Sequence, residues 1–331
     1  MTSSEWLKLS ALVFVFCVLT TFAGLRLLGP DTDFAHYLNL FNYGYHPQGD
    51  TKEPSFVLFR YVFSGIFGRE GFYWFIFVYA VLGVGLKLYA IGRYSVSSWY
   101  SIFVYLMVYY PLHEYTQMRV GVATGIILLS LPDVIKGYRL GFLLKIFFAA
   151  LFHWSALAVL PVYFFRGRQL YHFFAVIFIA LLAIPFKVEV LSLVAYILSF
   201  SESLAHYYGA HSGHVESFRV VNIVFLLNLA LILCSFWLVL RGKISAKIDN
   251  LPSLLVAVHL FSLFVYLFFS VLDRPVISFR LSELYSVVVL LSVPLFSKLS
   301  GRNVFIKLVV FFVPVIYFWH LVFRVDIFPG F

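Results

Sequence analysis

The sequence predicts an all-α, polytopic integral membrane protein with about eleven transmembrane helices, ten to twelve being the range. Three observations predict it. Hydrophobic residues make up 62% of the 331 residues and charged residues 12%, and mean hydropathy is +0.95, far outside the range of a soluble domain of this length. Apolar runs of membrane-spanning length recur from end to end, separated by short polar breaks. The basic residues gather in alternate breaks, as they do where loops face the cytoplasm.

The first run, Ala11 to Leu25, follows a short N-terminus carrying Lys8, and no small-x-small cleavage site follows it. It reads as an uncleaved first helix at 6–28. Apolar periodicity then predicts helices at 72–91, 98–112, 118–135, 140–152, 154–165, 171–186, 219–240, 252–272, 279–297 and 304–323. Three segments do not fit a simple spanning helix. Phe56 to Phe67 has 12 residues and carries Arg60; at roughly 18 Å against a hydrocarbon core of about 30 Å it reads as an outer-face or re-entrant amphipathic helix. Lys187 to Phe200 is similar and runs into the polar stretch Ser201 to Ser217. The helices at 140–152 and 154–165 are short, with His153 and Trp154 at their junction. Two half-depth helices would return Arg166 and Arg168 to the cytoplasm, whereas one tilted helix would carry them outside. The chain therefore reads as a single transmembrane domain over residues 1–331, with extracytoplasmic loops at about 29–71 and 187–218.

With the N-terminus cytoplasmic, the inner side collects 14 basic residues, Lys87, Arg93 and Lys145 among them, against 3 acidic ones, a net +11; the outer side is left at −2. The overall charge of +9 is thus a topology signal and gives no reason to expect a nucleic-acid partner. An odd number of passes puts the C-terminus outside. Cys17 and Cys234 both lie inside apolar runs and read as packing residues rather than a disulfide or metal pair.

Polar chemistry accumulates on the outer face. Its densest stretch is Tyr110 to Arg119, containing His113, Glu114, Gln117 and Arg119 between two apolar runs, where ionisable groups are costly unless they face water or a partner. No Walker motif, no glycine-rich dinucleotide turn and no soluble domain of nucleotide-binding size is present, which argues against a nucleotide-sugar or ATP substrate at the inner face.

Five motifs occur in order: Asp31 followed by Tyr37; Glu53-Pro54-Ser55-Phe56; Gln117-Met118-Arg119 opening a helix with Ala123; Phe152-His153-Trp154-Ser155-Ala156-Leu157; and Phe279-Arg280-Leu281. In this order the chain resembles the EpsG-like family of Wzy-type polysaccharide polymerases over about residues 31–297. The resemblance implies a GT-C-like membrane glycosyltransferase of the bacterial inner membrane. Such an enzyme transfers a growing O-antigen, capsule or exopolysaccharide chain from undecaprenyl diphosphate to the acceptor sugar of another lipid-linked repeat unit. Its partners would be the undecaprenyl-diphosphate-linked oligosaccharide, membrane lipid, and a chain-length regulator and flippase. The motif positions that carry over are Glu53, Arg119, His153 and Arg280; the loop Ser201–Ser217 has no counterpart.

The residue types suit that reaction independently. A leaving diphosphate needs a cationic clamp, and arginine binds phosphate oxygens through a planar fork that never loses its charge, which nominates Arg119 and Arg280. The alternative for Arg280 is a plain ion pair with Glu283, one helical turn away. The acceptor hydroxyl needs a base, and Glu53, Glu114 and His153 are the candidates. Glu114 and Arg119, five positions apart, would face about 140° apart on one continuous helix, so their contact requires a break. Tyr37, Gln117, His214, Arg219 and Glu283 are candidates for holding the acceptor. Asp31 and Asp33 precede a helical stretch and read as its cap. His211-x-x-His214-x-Glu216 carries Gly213 between its histidines, which works against a metal site, and no cofactor or metal is expected. His259, deep in an apolar helix, reads as packing or a helix-to-helix hydrogen bond. Two other classes compete. An O-antigen ligase or membrane acyltransferase would share the outer Arg/His site but usually carries a larger outer domain. A lipid-linked glycan flippase would show related halves and charge through both leaflets.

Overall fold

The computed structural model describes residues 3–29, 31–43, 53–182, 184–186, 220–272, 274–325 and 327–328. The segment 187–219, with the predicted short outer helix, the polar loop, His211, His214, Glu216 and Arg219, lies outside the described residues. Among the described residues the structure is helical throughout, and pairing of the β kind is confined to one isolated antiparallel bridge, Gln169 with Lys247.

In chain order the helices are α1 (Ser3–Gly24), α2 (Phe34–Tyr43), α3 (Pro54–Phe67), a 3₁₀ turn (Gly68–Glu70) and α4 (Gly71–Tyr94). Then come α5 (Ser98–Val104), which continues as a π-helix (Tyr105–Thr116), α6 (Met118–Lys136), α7 (Arg139–Phe152) and a 3₁₀ helix (Trp154–Phe165). They are followed by α8 (Leu170–Leu182), α9 (Ile223–Leu240), α10 (Leu251–Val271), α11 (Pro275–Ser286), α12 (Val289–Leu299) and α13 (Val304–Phe323). Five described segments are long and apolar enough to cross a membrane: Pro54–Tyr94, Met118–Lys136, Ile223–Leu240, Leu251–Val271 and Val304–Phe323. A sixth is gained if α11 and α12 count as one span. The chain divides into two compact units, residues 1–166 with 287–331, and residues 167–286.

In the first unit the described part of the stretch 29–71 contains the short helix expected at Phe56–Phe67, here α3, and a further helix, α2. α3 does not simply prolong α4. The Ser55 and Tyr79 hydroxyls lie 3.1 Å apart, where a straight helix would separate them by about 36 Å. The 3₁₀ turn folds α3 back along α4, and Phe56 and Phe59 pack edge-on against Phe75 and Tyr79. Tyr37, Phe41, Phe56, Phe72, Phe75, Tyr79, Met118 and Val122 form one buried cluster joining α2, α3, α4 and α6.

α7 and the 3₁₀ helix form the predicted hairpin. The Tyr163 hydroxyl donates to Gly137 O at 3.3 Å, the rings of Phe142 and Tyr163 lie 5.6 Å apart, and the Arg166 guanidinium occupies the space a Cβ on Gly137 would need. One tilted helix over 140–165 would place Phe142 and Tyr163 about 32 Å apart, so that alternative is excluded.

The predicted helix 279–297 is in fact broken at Val287–Val288. Farther along, Pro294 of α12 lacks the N–H that would bond Leu290 O. Ser101 of α5 supplies the donor, its hydroxyl reaching Leu290 O at 2.7 Å. Such replacement is what membrane burial demands of a freed carbonyl.

The second unit is organised on α10, which is buried along most of its length. Asn250 caps it, accepting from Ser253 N at 3.0 Å while Ser253 reaches back. His259 bonds Asn228 of α9 at 3.0 Å, the helix-to-helix bond expected of it. Ser262 Oγ on α10 donates to Ser282 O of α11 at 2.7 Å. The thiols of Cys17 and Cys234 are both free.

Candidate functional site

Glu53, Arg119 and His153, the residues of three separate motifs, meet in the first unit. Each stands at a helix end. Glu53 is the N-cap of α3, ahead of Pro54, with extended backbone (φ −61, ψ 134), and its carbonyl accepts from Phe56 N and Val57 N at 3.0 and 3.2 Å. A carboxylate there would ordinarily turn back onto the helix N–H groups, but Glu53 makes no such bond and reaches outward instead. Its Oε2 accepts from Arg119 Nη1, and its Oε1 stands 3.0 Å from His153 Nδ1. Arg119 lies in the first turn of α6, just past Gln117, whose backbone (φ −114, ψ 49) breaks the preceding helix. His153 is the extended residue (φ −154, ψ 113) that ends α7.

The burial of the three is graded. The Glu53 side chain is 2% exposed, Arg119 20% and His153 14%. The carboxylate is thus the hidden hub, and the cation and imidazole border the accessible side. Arg119 is stacked as well as paired, its guanidinium carbon lying 5.5 Å from the Tyr37 ring centre and 5.7 Å from that of Phe56. Tyr37 is buried, and burial pushes its phenol above the ordinary value, which keeps it neutral. A guanidinium at a helix N-terminus adds its charge to the positive end of the helix dipole, a combination suited to anions.

Glu114 does not join this cluster. The break at Gln117 that could have brought it to Arg119 is present, yet its side chain and that of Lys87 are both 0% exposed and paired at 2.6 Å. Tyr105 of the π-helix donates to the same oxygen at 2.7 Å, and Lys87 also donates to Gly121 O at 2.6 Å. Gly83 leaves the space that Glu114 Oε2 occupies. This corrects the charge map. Lys87, counted above among the inner-face cations, is locked inside the first unit against a residue assigned to the outer side. Its place within the apolar run of α4 was the available signal. Lys145, counted likewise, pairs with Asp133 at 2.5 Å and also donates to Leu129 O.

Gln117 is half-buried at the α6 N-cap. Arg280 is exposed and Glu283 half-buried on α11, in the second unit. Asp31 behaves as a cap, its Oδ1 accepting from Asp33 N at 2.9 Å ahead of α2. It also faces Arg26 at 3.5 Å. Burial pushes the Asp31 carboxyl above its ordinary value, with Arg26 pulling the other way. Sequence reasoning passed over Arg26, Tyr105 and the Ser55–Tyr79 contact. Among the described residues no three His, Cys, Asp or Glu side chains gather as metal ligands would.

A family model described as the EpsG family matches residues 10–329. No curated protein and no solved structure matches the chain.

Proposed function

The chain belongs to the EpsG family, and from that premise we propose that it is a membrane polysaccharide polymerase acting on lipid-diphosphate-linked repeat units at the extracytoplasmic face. The observation that carries the reading is one buried carboxylate, Glu53, holding an arginine and a histidine that both retain exposure. With Nδ1 turned to Glu53, the His153 imidazole keeps Nε2 as its proton-accepting atom, the orientation a general base requires. The acceptor hydroxyl oxygen attacks the anomeric carbon of the donor glycan as the bond from that carbon to the diphosphate oxygen breaks. The hydroxyl proton passes to His153, and the electron pair leaves with the lipid diphosphate. Glu53 then stabilises the imidazolium. The Arg119 guanidinium, held by Glu53 and Tyr37, takes the charge developing on the leaving group, which an arginine fork does without proton bookkeeping. Glu114, enclosed with Lys87, acts in this scheme as a structural anchor, and the base is the Glu53–His153 pair.

The wider arrangement in this reading is the GT-C-like one. The N-terminus is cytoplasmic, the shorter apolar helices also enter the membrane to give about eleven passes, and the α7–3₁₀ hairpin returns to the cytoplasmic side. The basic loops support that orientation. A chain-length regulator and a flippase would act beside it.

The test is purified protein with a synthetic lipid-linked repeat unit, read as a ladder on a gel. Wild type should elongate and Glu53→Gln should not, at equal expression. A single transfer onto lipid A without elongation would assign a ligase instead, and substrate translocation without bond formation a flippase.

A further inference from the structure

Arg26 sits where a helix end ordinarily carries glycine. It follows α1 with φ 51, in the left-handed region. The bonds from its N–H to Ala23 O and from Leu27 N–H to Phe22 O, 3.2 and 3.0 Å, close the helix in the double manner that glycine usually serves. A side chain in that conformation is strained, and such strain persists where the surroundings hold the residue in place. Here the side chain turns inward, leaving the residue 8% exposed. Its Nη1 donates to Glu114 O at 3.0 Å and stands 3.5 Å from Asp31 Oδ2, and its guanidinium lies 5.1 Å over the Tyr115 ring. The Tyr115 hydroxyl in turn bonds Phe22 O at 2.9 Å, tying the same helix end to the π-helix.

What this frame leaves over is specific. Arg26 Nε and Nη2 are buried with no hydrogen-bond partner among the described residues. Together they form the side-on edge of the guanidinium, the edge that takes two oxygens of one anion. Buried polar groups are rarely left in this condition, and a buried charge still less. Arg26 follows the short apolar helix Leu9–Gly24; in the topology proposed above that helix end reaches the lipid head groups, where the abundant oxyanion is a phosphate ester.

We infer that Arg26 is an oxyanion site for a phosphate group, bound side-on by Nε and Nη2, with Asp31, Tyr115 and the Glu114 carbonyl fixing the guanidinium plane. The phosphate has two sources, the diphosphate of a lipid-linked glycan or the head group of an anionic phospholipid. Tyr37 lies within electrostatic reach of both Arg26 and Arg119, so the first source would come from the neighbouring cluster. The site goes beyond the polymerase reading and stands whether or not the chain elongates a glycan.

The test is calorimetric titration of the full-length protein, in phospholipid-free neutral detergent, with inorganic pyrophosphate. Wild type should bind. Arg26→Lys should bind at least about tenfold more weakly, since a point charge cannot replace the side-on fork. Because that variant leaves Asp31 without its partner, a second one, Arg26→Gly with Asp31→Asn, removes both charges and puts glycine where the helix end favours it. It should fold and should lose the same affinity. Wild type that binds no pyrophosphate, or either variant binding as wild type while retaining wild-type circular dichroism and elution, overturns the inference. Nanodiscs of phosphatidylcholine with and without phosphatidylglycerol then separate the sources. Competition by phosphatidylglycerol identifies a head-group site, and undiminished pyrophosphate binding identifies the lipid-linked diphosphate.

Discussion

Glu53 holds two partners with the two oxygens of one carboxylate, so its replacement should be felt twice. Glu53→Gln keeps the shape but cannot accept from Arg119 and hold the His153 ring with equal strength. We expect elongation to fall by about two orders of magnitude or more, measured as the initial rate of ladder formation, consistent with loss of an orienting carboxylate. Arg119→Lys should impair turnover nearly as much as Arg119→Ala, by about 2 to 4 kcal/mol of transition-state stabilisation. Wild-type ladders from the lysine variant, at equal expression, would make the arginine structural. Much of this candidate site was legible in the sequence: Glu53, Arg119 and His153 are motif positions that the family resemblance carries over. Which of the three candidate bases belongs with Arg119 was not legible, because Glu114 is five positions from it along the chain and Glu53 sixty-six, and only folding reverses that order of proximity.

Among the elements, α4 and the π-helix are joined by a buried ion pair, Lys87 with Glu114, whose ammonium also donates to Gly121 O of α6. Gly121 permits the approach, since a Cβ there would lie 2.7 Å from His113 O. Removing one charge strands the other, so Lys87→Met or Glu114→Gln should destabilise by about 3 to 5 kcal/mol, and Lys87→Met combined with Glu114→Met by less than either single change. Thermal unfolding in detergent reads this, and additive losses in the double variant would argue against a coupled pair. A second element-scale test concerns α12. Ser101→Ala should cost about 1 to 3 kcal/mol by orphaning Leu290 O. Adding Pro294→Ala should recover part of it, because the restored backbone N–H can bond that carbonyl. Most helix bounds were readable to within a few residues, because apolar periodicity is a local signal. The break at Val287–Val288 and the back-folding of α3 were not, since both depend on contacts with other helices.

For the whole molecule the predictions concern sidedness. Reporter fusions after Arg302 and after Phe331 should read cytoplasmic and extracytoplasmic respectively; the same side for both would remove the odd number of passes. Single cysteines at Lys136 and Arg166 should react with a membrane-impermeant reagent from the same side, because the hairpin brings Arg166 back to Gly137. Reaction from opposite sides would contradict the hairpin.

Composition, hydropathy period and the distribution of basic residues determined by themselves that this chain is an all-helical, multi-pass membrane protein. Each of those is a sum or a local pattern, and none of the three depends on what a residue touches. Tertiary structure alone decided that Lys87 is an interior partner of Glu114 rather than a loop cation. It likewise decided that Glu53 is the hub of the candidate site, and that Arg26 carries an unused edge. An ionisable group in an apolar setting must find a partner, but the sequence states only the need, and the identity of the partner depends on which helices pack together.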